Sequence, residues 1–169
     1  ARITQFDRSG VFRRTIGRLG DNIDEFIRPK GIAIDNENRI WVVDAGSEVA
    51  KIYNQQGRLL LFFGLPGNEP GMMNLPATIV IDYDNVALFQ KYAVKGASIE
   101  FLVLVSNQYG PNKISVYGFG TFPVHGSTEN SVSTKYTITA DLIKINEKRA
   151  DAAISAANAA VIASQVHAP

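Results

Sequence analysis

The sequence predicts an all-β protein with a C-terminal helix, in which the β part is made of four-stranded antiparallel units. Three observations support this class: a repeat with an offset of 47 residues, short strand patterns separated by turn residues, and an Ala-rich segment near the C-terminus. Apolar residues make up 46% of the 169 residues and charged residues 20%, which is typical of a folded globular chain. We expect repeat units over residues 1–120, a Ser/Thr-rich linker over 121–138 and an amphipathic helix over 139–169.

The internal repeat is seen when the chain is shifted by 47 residues against itself. Turn glycines, one proline and several strand residues then fall on residues of the same kind. The aligned pairs are Phe6 with Tyr53, Gly10 with Gly57, Gly17 with Gly64, Gly20 with Gly67, Pro29 with Pro76, Ile32 with Ile79, Ile34 with Ile81 and Asp35 with Asp82. Because the matches are concentrated at turns and in one strand, they indicate a repeated structural unit.

The complete unit contains four strand patterns joined by polar turns. The predicted strands are 31–35, 39–44, 49–54 and 58–63. One such sheet cannot bury both of its faces alone, so a four-stranded unit that recurs along the chain is typical of a β-propeller blade. With strands lettered A to D from the axis outward, the chain is expected to run C-D, then A-B-C-D, then A-B-C.

The last unit carries an insertion over residues 83–100. Asp84 is expected to cap a short helix in which Val86, Phe89 and Ala93 share a face. Strand B is then predicted at 101–107 and strand C at 113–117, with one further strand at 135–139 in the linker.

Aromatic side chains of the insertion are candidates for either burial or contact with a partner. Burial against the unit is favoured for Phe89 and Phe101. A contact role is favoured for Tyr83 and Tyr92, because aromatic side chains are enriched in the cores of protein interfaces.

The motifs of residues 1–120 resemble the NHL-repeat family of β-propellers. Residues 29–35 match its P-x-G-I-A-[VI]-D motif, residues 40–44 match I-[WY]-V-x-D, residues 2–10 match R-[VI]-x-V-[FY]-D-x-x-G, and residues 62–64 supply the closing F-G. The resemblance implies part of a six-bladed ring of four-stranded antiparallel blades. It implies little about function, since members of the family include protein and RNA binders and a few lyases and hydrolases.

Residues 71–119 are similar to the closing blades of secreted NHL proteins encoded beside multihaem cytochromes in metal-reducing bacteria. This resemblance implies an extracellular, cell-surface or periplasmic protein whose partner is a multihaem cytochrome complex or filament. The chain begins with Ala1 rather than Met, so we also expect that an N-terminal segment has been removed.

Two blades and part of a third do not close a ring, which needs about 4–8 blades. The favoured interpretation is a portion of a longer or cleaved propeller, completed by other protein chains. The alternative is a ring assembled from several copies of this chain.

Composition excludes several other classes. Lys and Arg number 17 against 16 for Asp and Glu, which argues against a nucleic-acid binder because phosphates require a surplus of cations. The absence of cysteine excludes disulfides, thiolate metal sites and covalent haem attachment. The longest weakly polar run, residues 152–163, is shorter than the roughly 20 residues of a membrane span.

The residues predict no catalytic site, cofactor or metal site in this chain. The two histidines, His125 and His167, both lie in the tail, and a site of three imidazoles within one chain is therefore excluded. Asp35 and Asp82 are expected to accept backbone hydrogen bonds in turns rather than to bind metal. Trp41 is expected to pack between neighbouring units.

The tail supplies the remaining candidate contacts with a partner. His125 is a candidate ligand for the haem iron of a partner. Ile143, Ile154 and Val161 share the apolar face of the predicted helix, which either docks on a partner or neighbouring copy or folds back on its own propeller.

The predicted function is a non-catalytic scaffold for protein–protein assembly. One alternative is a metal-assisted lyase or lactonase whose active site lies in blades absent from this chain. Another is a lectin-like or matrix-binding module that assembles from several copies.

Overall fold

The computed structural model describes residues 1–121 and 137–139, and these residues form mostly antiparallel β-sheet. The strands are β1 (Ile3–Phe6), β2 (Phe12–Ile16), β3 (Pro29–Ile34), β4 (Ile40–Asp44), β5 (Val49–Tyr53), β6 (Leu59–Phe63), β7 (Pro76–Asp82), β8 (Ser98–Asn107), β9 (Ile114–Thr121) and β10 (Thr137–Thr139). A short helix α1 (Val86–Phe89) and a 3-10 turn (Gln90–Tyr92) lie between β7 and β8. No helix in the described part of the chain is long and apolar enough to cross a membrane.

The strands form three sheets in which chain neighbours pair antiparallel. Sheet 1 is β1-β2, sheet 2 is β3-β4-β5-β6, and sheet 3 is β7-β8-β9-β10. The prediction of an all-β region built from antiparallel sheets is therefore confirmed. The strand expected at 135–139 is observed as β10, which pairs with β9 and completes sheet 3 as a four-stranded sheet. Apart from Thr139, the predicted C-terminal helix lies outside the described residues.

The 47-residue repeat recurs in the backbone hydrogen bonds. Gly20 N donates to Phe26 O at 3.1 Å, and the equivalent Gly67 N donates to Met73 O at 3.0 Å. The return bonds, from Phe26 N to Arg18 O and from Met73 N to Leu65 O, are both 2.8 Å. The loops that lead into sheets 2 and 3 thus have the same local structure.

Turns of the two units also share one geometry. Asp7 Oδ1 accepts hydrogen bonds from Ser9 N and Val11 N, both at 2.9 Å. The equivalent Asn54 Oδ1 accepts from the backbone of the residues two and four positions later, at 3.0 and 2.9 Å. A side-chain oxygen that closes the turn in this way is the reason for Asp or Asn at this position.

Sheets 2 and 3 pack face to face over a shared aromatic core. Trp41 of β4 is fully buried, and its ring lies 6.2 Å from Phe63, 5.7 Å from Phe101 and 5.4 Å from Phe119. The burial predicted for Trp41 and Phe101 is confirmed. The first strands, β3 and β7, approach each other closely, because a Cβ added at Gly31 would lie 2.8 Å from Thr78 Cα.

The insertion covers part of the face of sheet 3 that points away from sheet 2. Val86, Phe89 and Ala93 pack on a buried cluster of Ile99, Leu102 and Val116. The three residues thus share a buried side as predicted, but not on one helix: α1 ends at Phe89, and Ala93 follows the 3-10 turn in extended backbone.

The predicted cap at Asp84 is wrong. The N-cap residue of α1 is Asn85, and its side chain makes no capping hydrogen bond. Asp82 instead accepts bonds from Asp84 N at 2.8 Å and from Asn85 N at 3.1 Å, so its carboxylate organises this turn. A hydrogen bond from the Asn85 side chain, together with these backbone bonds, holds the pKa of Asp82 below its usual value.

Candidate functional site

Tyr83 joins the insertion to sheet 2. Its hydroxyl accepts a hydrogen bond from Asn36 N at 2.8 Å, and its ring lies 5.1 Å from the ring of Phe101. The side chain remains 37% exposed. Tyr83 therefore makes contacts within this chain, and its contact with a partner stays a prediction.

Tyr92 lies on the outer surface of the insertion. It is 47% exposed, with Lys91 Nζ 5.0 Å from its ring centroid and the ring of Phe89 at 6.4 Å. Leu88 is exposed on the same short segment. Tyr92 is thus available for contact with a partner. The other four predicted contact residues, His125, Ile143, Ile154 and Val161, lie outside the described residues.

A second apolar surface lies on β3, the first strand of sheet 2. Ile32 is 50% exposed and Ile34 63% exposed, although both lie within the apolar strand motif of residues 29–35. Their partners on the neighbouring strand β4 are Val42 and Ile40, and both of these side chains are buried. Sheet 1 and Phe26 cover Ile40, Val42 and Tyr53 on this face. Ile32 and Ile34 on β3 stay exposed.

Sequence reasoning missed this surface. The repeat aligns Ile32 and Ile34 with Ile79 and Ile81, and an apolar repeated strand predicts burial. Their exposure depends on which strands lie opposite them, and no local pattern reports that.

A buried ion pair lies inside sheet 2. Asp44 Oδ2 and Lys51 Nζ are 3.4 Å apart, and both side chains are almost fully buried. Asp44 also accepts hydrogen bonds from Ile27 N at 3.0 Å and Arg28 N at 2.6 Å. Burial raises the pKa of Asp44, but these backbone bonds outweigh it, so the pKa lies below its usual value.

The same place in sheet 3 holds a neutral pair. Asn107 and Ser115 occupy the strand positions equivalent to Asp44 and Lys51, and Asn107 Nδ2 lies 3.1 Å from Ser115 Oγ. Asn107 Oδ1 accepts from Asn74 N at 3.1 Å, as Asp44 does from Ile27 N. In both sheets this pair of residues ties the incoming loop to the sheet, whether the pair is charged or neutral. Its role is therefore structural.

Asp35 forms a second buried cluster at the turn between β3 and β4. Its carboxylate accepts backbone bonds from Glu37 N at 3.0 Å and Arg39 N at 2.9 Å, which confirms the predicted turn role. It also accepts bonds from the Arg39 guanidinium and from Trp41 Nε1, the latter at 2.8 Å. The Arg39 guanidinium lies 4.8 Å from the ring centroid of Phe119, so the cluster links sheet 2 to sheet 3.

These clusters do not resemble a metal centre. Over residues 1–121 and 137–139, no group of three or more His, Asp or Glu side chains is arranged to hold a metal ion. The candidate functional surfaces are the exposed apolar residues of β3 and of the insertion.

Comparison with known proteins gives no assignment: neither a protein-family model nor a curated protein matches this chain. The NHL resemblance accordingly stays a prediction from the motifs.

Proposed function

We propose that this chain is part of a β-propeller and acts as a non-catalytic scaffold for protein–protein assembly. Support for the propeller comes from the repeat and from the way in which sheets 2 and 3 stack. Each is a four-stranded antiparallel sheet with strands in chain order, and their first strands meet at Gly31 and Thr78. Sheets that stack with their first strands together are typical of blades around an axis.

The observation that carries the scaffold role is the apolar surface left open at both ends of the stack. Ile32 and Ile34 are exposed on sheet 2, and Val80 and Ile114 are exposed on the far side of sheet 3. Clustered apolar side chains at a surface are costly in water and mark sites of interaction. Sheet faces at the two ends of such a stack are suited to neighbouring blades or partner proteins.

The location and partner of the scaffold follow from the sequence resemblance alone. It extends the proposal to a protein at or outside the cell surface, either extracellular or periplasmic. A multihaem cytochrome complex or its filament is the partner that this resemblance favours.

The proposal is tested on material isolated from the native source. Gentle cross-linking, separation under native conditions and mass spectrometry should recover this chain in a stoichiometric complex, and a haem stain of the same band tests the cytochrome. Isolation of the chain as a monomer with no stoichiometric partner would contradict the scaffold role. A stoichiometric complex without haem would support the scaffold role and contradict the proposed cytochrome partner.

A further inference from the structure

The face of sheet 2 that packs on sheet 3 has a characteristic set of side chains. Ala33, Trp41 and Ile52 form a row across three paired strands, and all three contribute to the core between the two sheets. Gly31, on the same face of β3, permits the close approach of β7, because a Cβ there would lie 2.8 Å from Thr78 Cα. The stacking of these two sheets thus depends on small residues in β3 and on one large indole in β4.

Sheet 3 does not repeat these side chains on its outer face, which is the face that points away from sheet 2. By the repeat and the strand pairing, the equivalent row is Val80, Leu104 and Val116. Thr78 stands at the position equivalent to the glycine, so a Cβ is present where close stacking requires none. A further sheet could not stack on the outer face with the same close approach.

The insertion already occupies part of the outer face. Its buried side packs over Leu102 and Val116, at a place where a stacked sheet would otherwise lie. Beside the insertion, Val80 is 49% exposed and Ile114 is 58% exposed, and Leu104 between them is only partly buried. Val80, Leu104 and Ile114 thus form an open apolar strip, which calls for an occupant narrower than a sheet.

The chain that follows β10 begins beside this strip. β10 runs antiparallel to β9 and ends with Thr139 opposite Gly118. This direction leads towards Ile114, which lies about 14 Å further along β9 at the usual strand rise. Because sheet 2 fills the other face of sheet 3, only the outer face is open to residues 140–169 at this point.

The sequence of residues 140–169 is complementary to the strip. At helical spacing, one face of this segment carries Ile143, Ala150, Ile154, Ala157 and Val161, and the opposite face is polar. The stretch 143–154 would be about 16 Å long as a helix, which is enough to cross three strands spaced about 5 Å apart. A single amphipathic helix therefore matches the strip in both width and polarity.

We infer that residues 140–169 dock as an amphipathic helix on the outer face of sheet 3, over Val80, Leu104 and Ile114. The segment covers this end of the stack, as capping units do in other repeat proteins. The inference goes beyond the proposed scaffold role and does not depend on it. It leaves the exposed residues of β3 and of the insertion for contact with partners.

The test uses the full chain, which contains no cysteine, so that introduced cysteines report proximity without background. Ile114→Cys is the anchor and is combined in separate variants with Ile143→Cys, Ala150→Cys or Ile154→Cys. Under mild oxidation a disulfide forms only where the two Cα atoms come within about 7 Å. Mass spectrometry of proteolytic fragments then identifies the linked residues.

At least one of these three pairs should form a disulfide within one chain. Lys148→Cys and Ser155→Cys, on the polar face, should not link to the same anchor, because a docked helix about 10 Å wide holds them on its far side. An anchor at Ile34→Cys, an exposed isoleucine of sheet 2, should link to none of the tail positions.

A second measurement uses the cysteine-free chain and leaves the sheets unaltered. Ile154→Asp places a charge on the apolar face of the tail and should release it from the strip. Fluorescence of the dye 8-anilinonaphthalene-1-sulfonate, which binds exposed apolar surface, should then rise about twofold or more. Ser155→Asp, at the neighbouring position on the polar face, is the matched control and should leave the fluorescence unchanged.

Several results would overturn the inference. They are absence of a disulfide in all three apolar-face pairs, equal linkage from the polar-face cysteines, linkage to Ile34→Cys instead, and equal dye binding by the two Asp variants. Disulfides between chains, formed when the single variants Ile114→Cys and Ile154→Cys are mixed, would assign the strip to a second copy. If the tail does not link but the native complex contains a stoichiometric partner, the inference falls and the proposed function stands.

Discussion

Asp44 and Lys51 face each other inside sheet 2 at 3.4 Å, in the place where sheet 3 has Asn107 and Ser115 at 3.1 Å. Two chemically different pairs thus hold the same part of the repeat. The charged version has a specific weakness, because a buried charge that loses its partner is far more costly than a buried amide.

Lys51→Met is expected to reduce the free energy of unfolding by about 3–5 kcal/mol, because it leaves the Asp44 carboxylate without its counter-charge. The double variant Asp44→Asn, Lys51→Ser copies the pair of sheet 3 and should be more stable than Lys51→Met. Urea denaturation followed by circular dichroism measures both. A double variant that is less stable than Lys51→Met would contradict the equivalence of the two pairs.

Acid should destabilise the protein in part through Asp44. Its pKa is lowered in the folded chain from the usual 3.8, so the ionised form stabilises the fold above that pH. This contribution is lost as the pH falls below 3.8 and through the folded-state value. Urea midpoints between pH 7 and pH 2 should fall less steeply for Asp44→Asn than for the unaltered chain, and equal slopes would show that Asp44 is not responsible.

Gly31→Val should destabilise the contact between β3 and β7. The added Cβ would lie 2.8 Å from Thr78 Cα. Because β3 pairs with β4 and β7 pairs with β8, the two backbones cannot move apart without disturbing both sheets. We expect a loss of about 1–3 kcal/mol or more. Lys30→Val, at the exposed neighbouring position of the same strand, is the matched control and should change stability by less than about 0.5 kcal/mol. Equal thermal melting of the two variants would contradict the close approach.

Arg39→Lys should weaken the link between sheets 2 and 3. A lysine keeps the charge but loses the planar guanidinium that bonds Asp35 and lies over the ring of Phe119. The expected cost is about 1–2 kcal/mol. Arg13→Lys, at an exposed ion pair with Asp7, should cost less than about 1 kcal/mol in the same denaturation experiment.

The sequence predicts the strands of this protein well because the signals are local. Turns closed by Asp7, Asp35 and Asn54 depend on residues within four positions, and the apolar strands between them follow the turns. The wrong prediction of a cap at Asp84 also concerns contacts between residues close in sequence. Asp82 and Asp84 are both able to organise that turn, and in the folded chain Asp82 accepts the bonds.

The candidate site could not be predicted in the same way. Ile32 and Ile79 are both isoleucines at equivalent repeat positions, yet Ile32 is exposed and Ile79 is buried. Burial of a strand face is set by the neighbouring sheet, which lies far away in sequence. No local sequence pattern predicts the contact of Lys51 with Asp44 or that of Arg39 with Phe119.

Cryo-electron microscopy of the complex isolated from its native source tests the central claim most directly. We expect two four-stranded sheets from this chain to be arranged as radial blades, with β1 and β2 belonging to a further blade whose strands cover Ile32 and Ile34. Sheets that pack as a closed sandwich, or a map in which Ile32 and Ile34 remain in solvent, would contradict it.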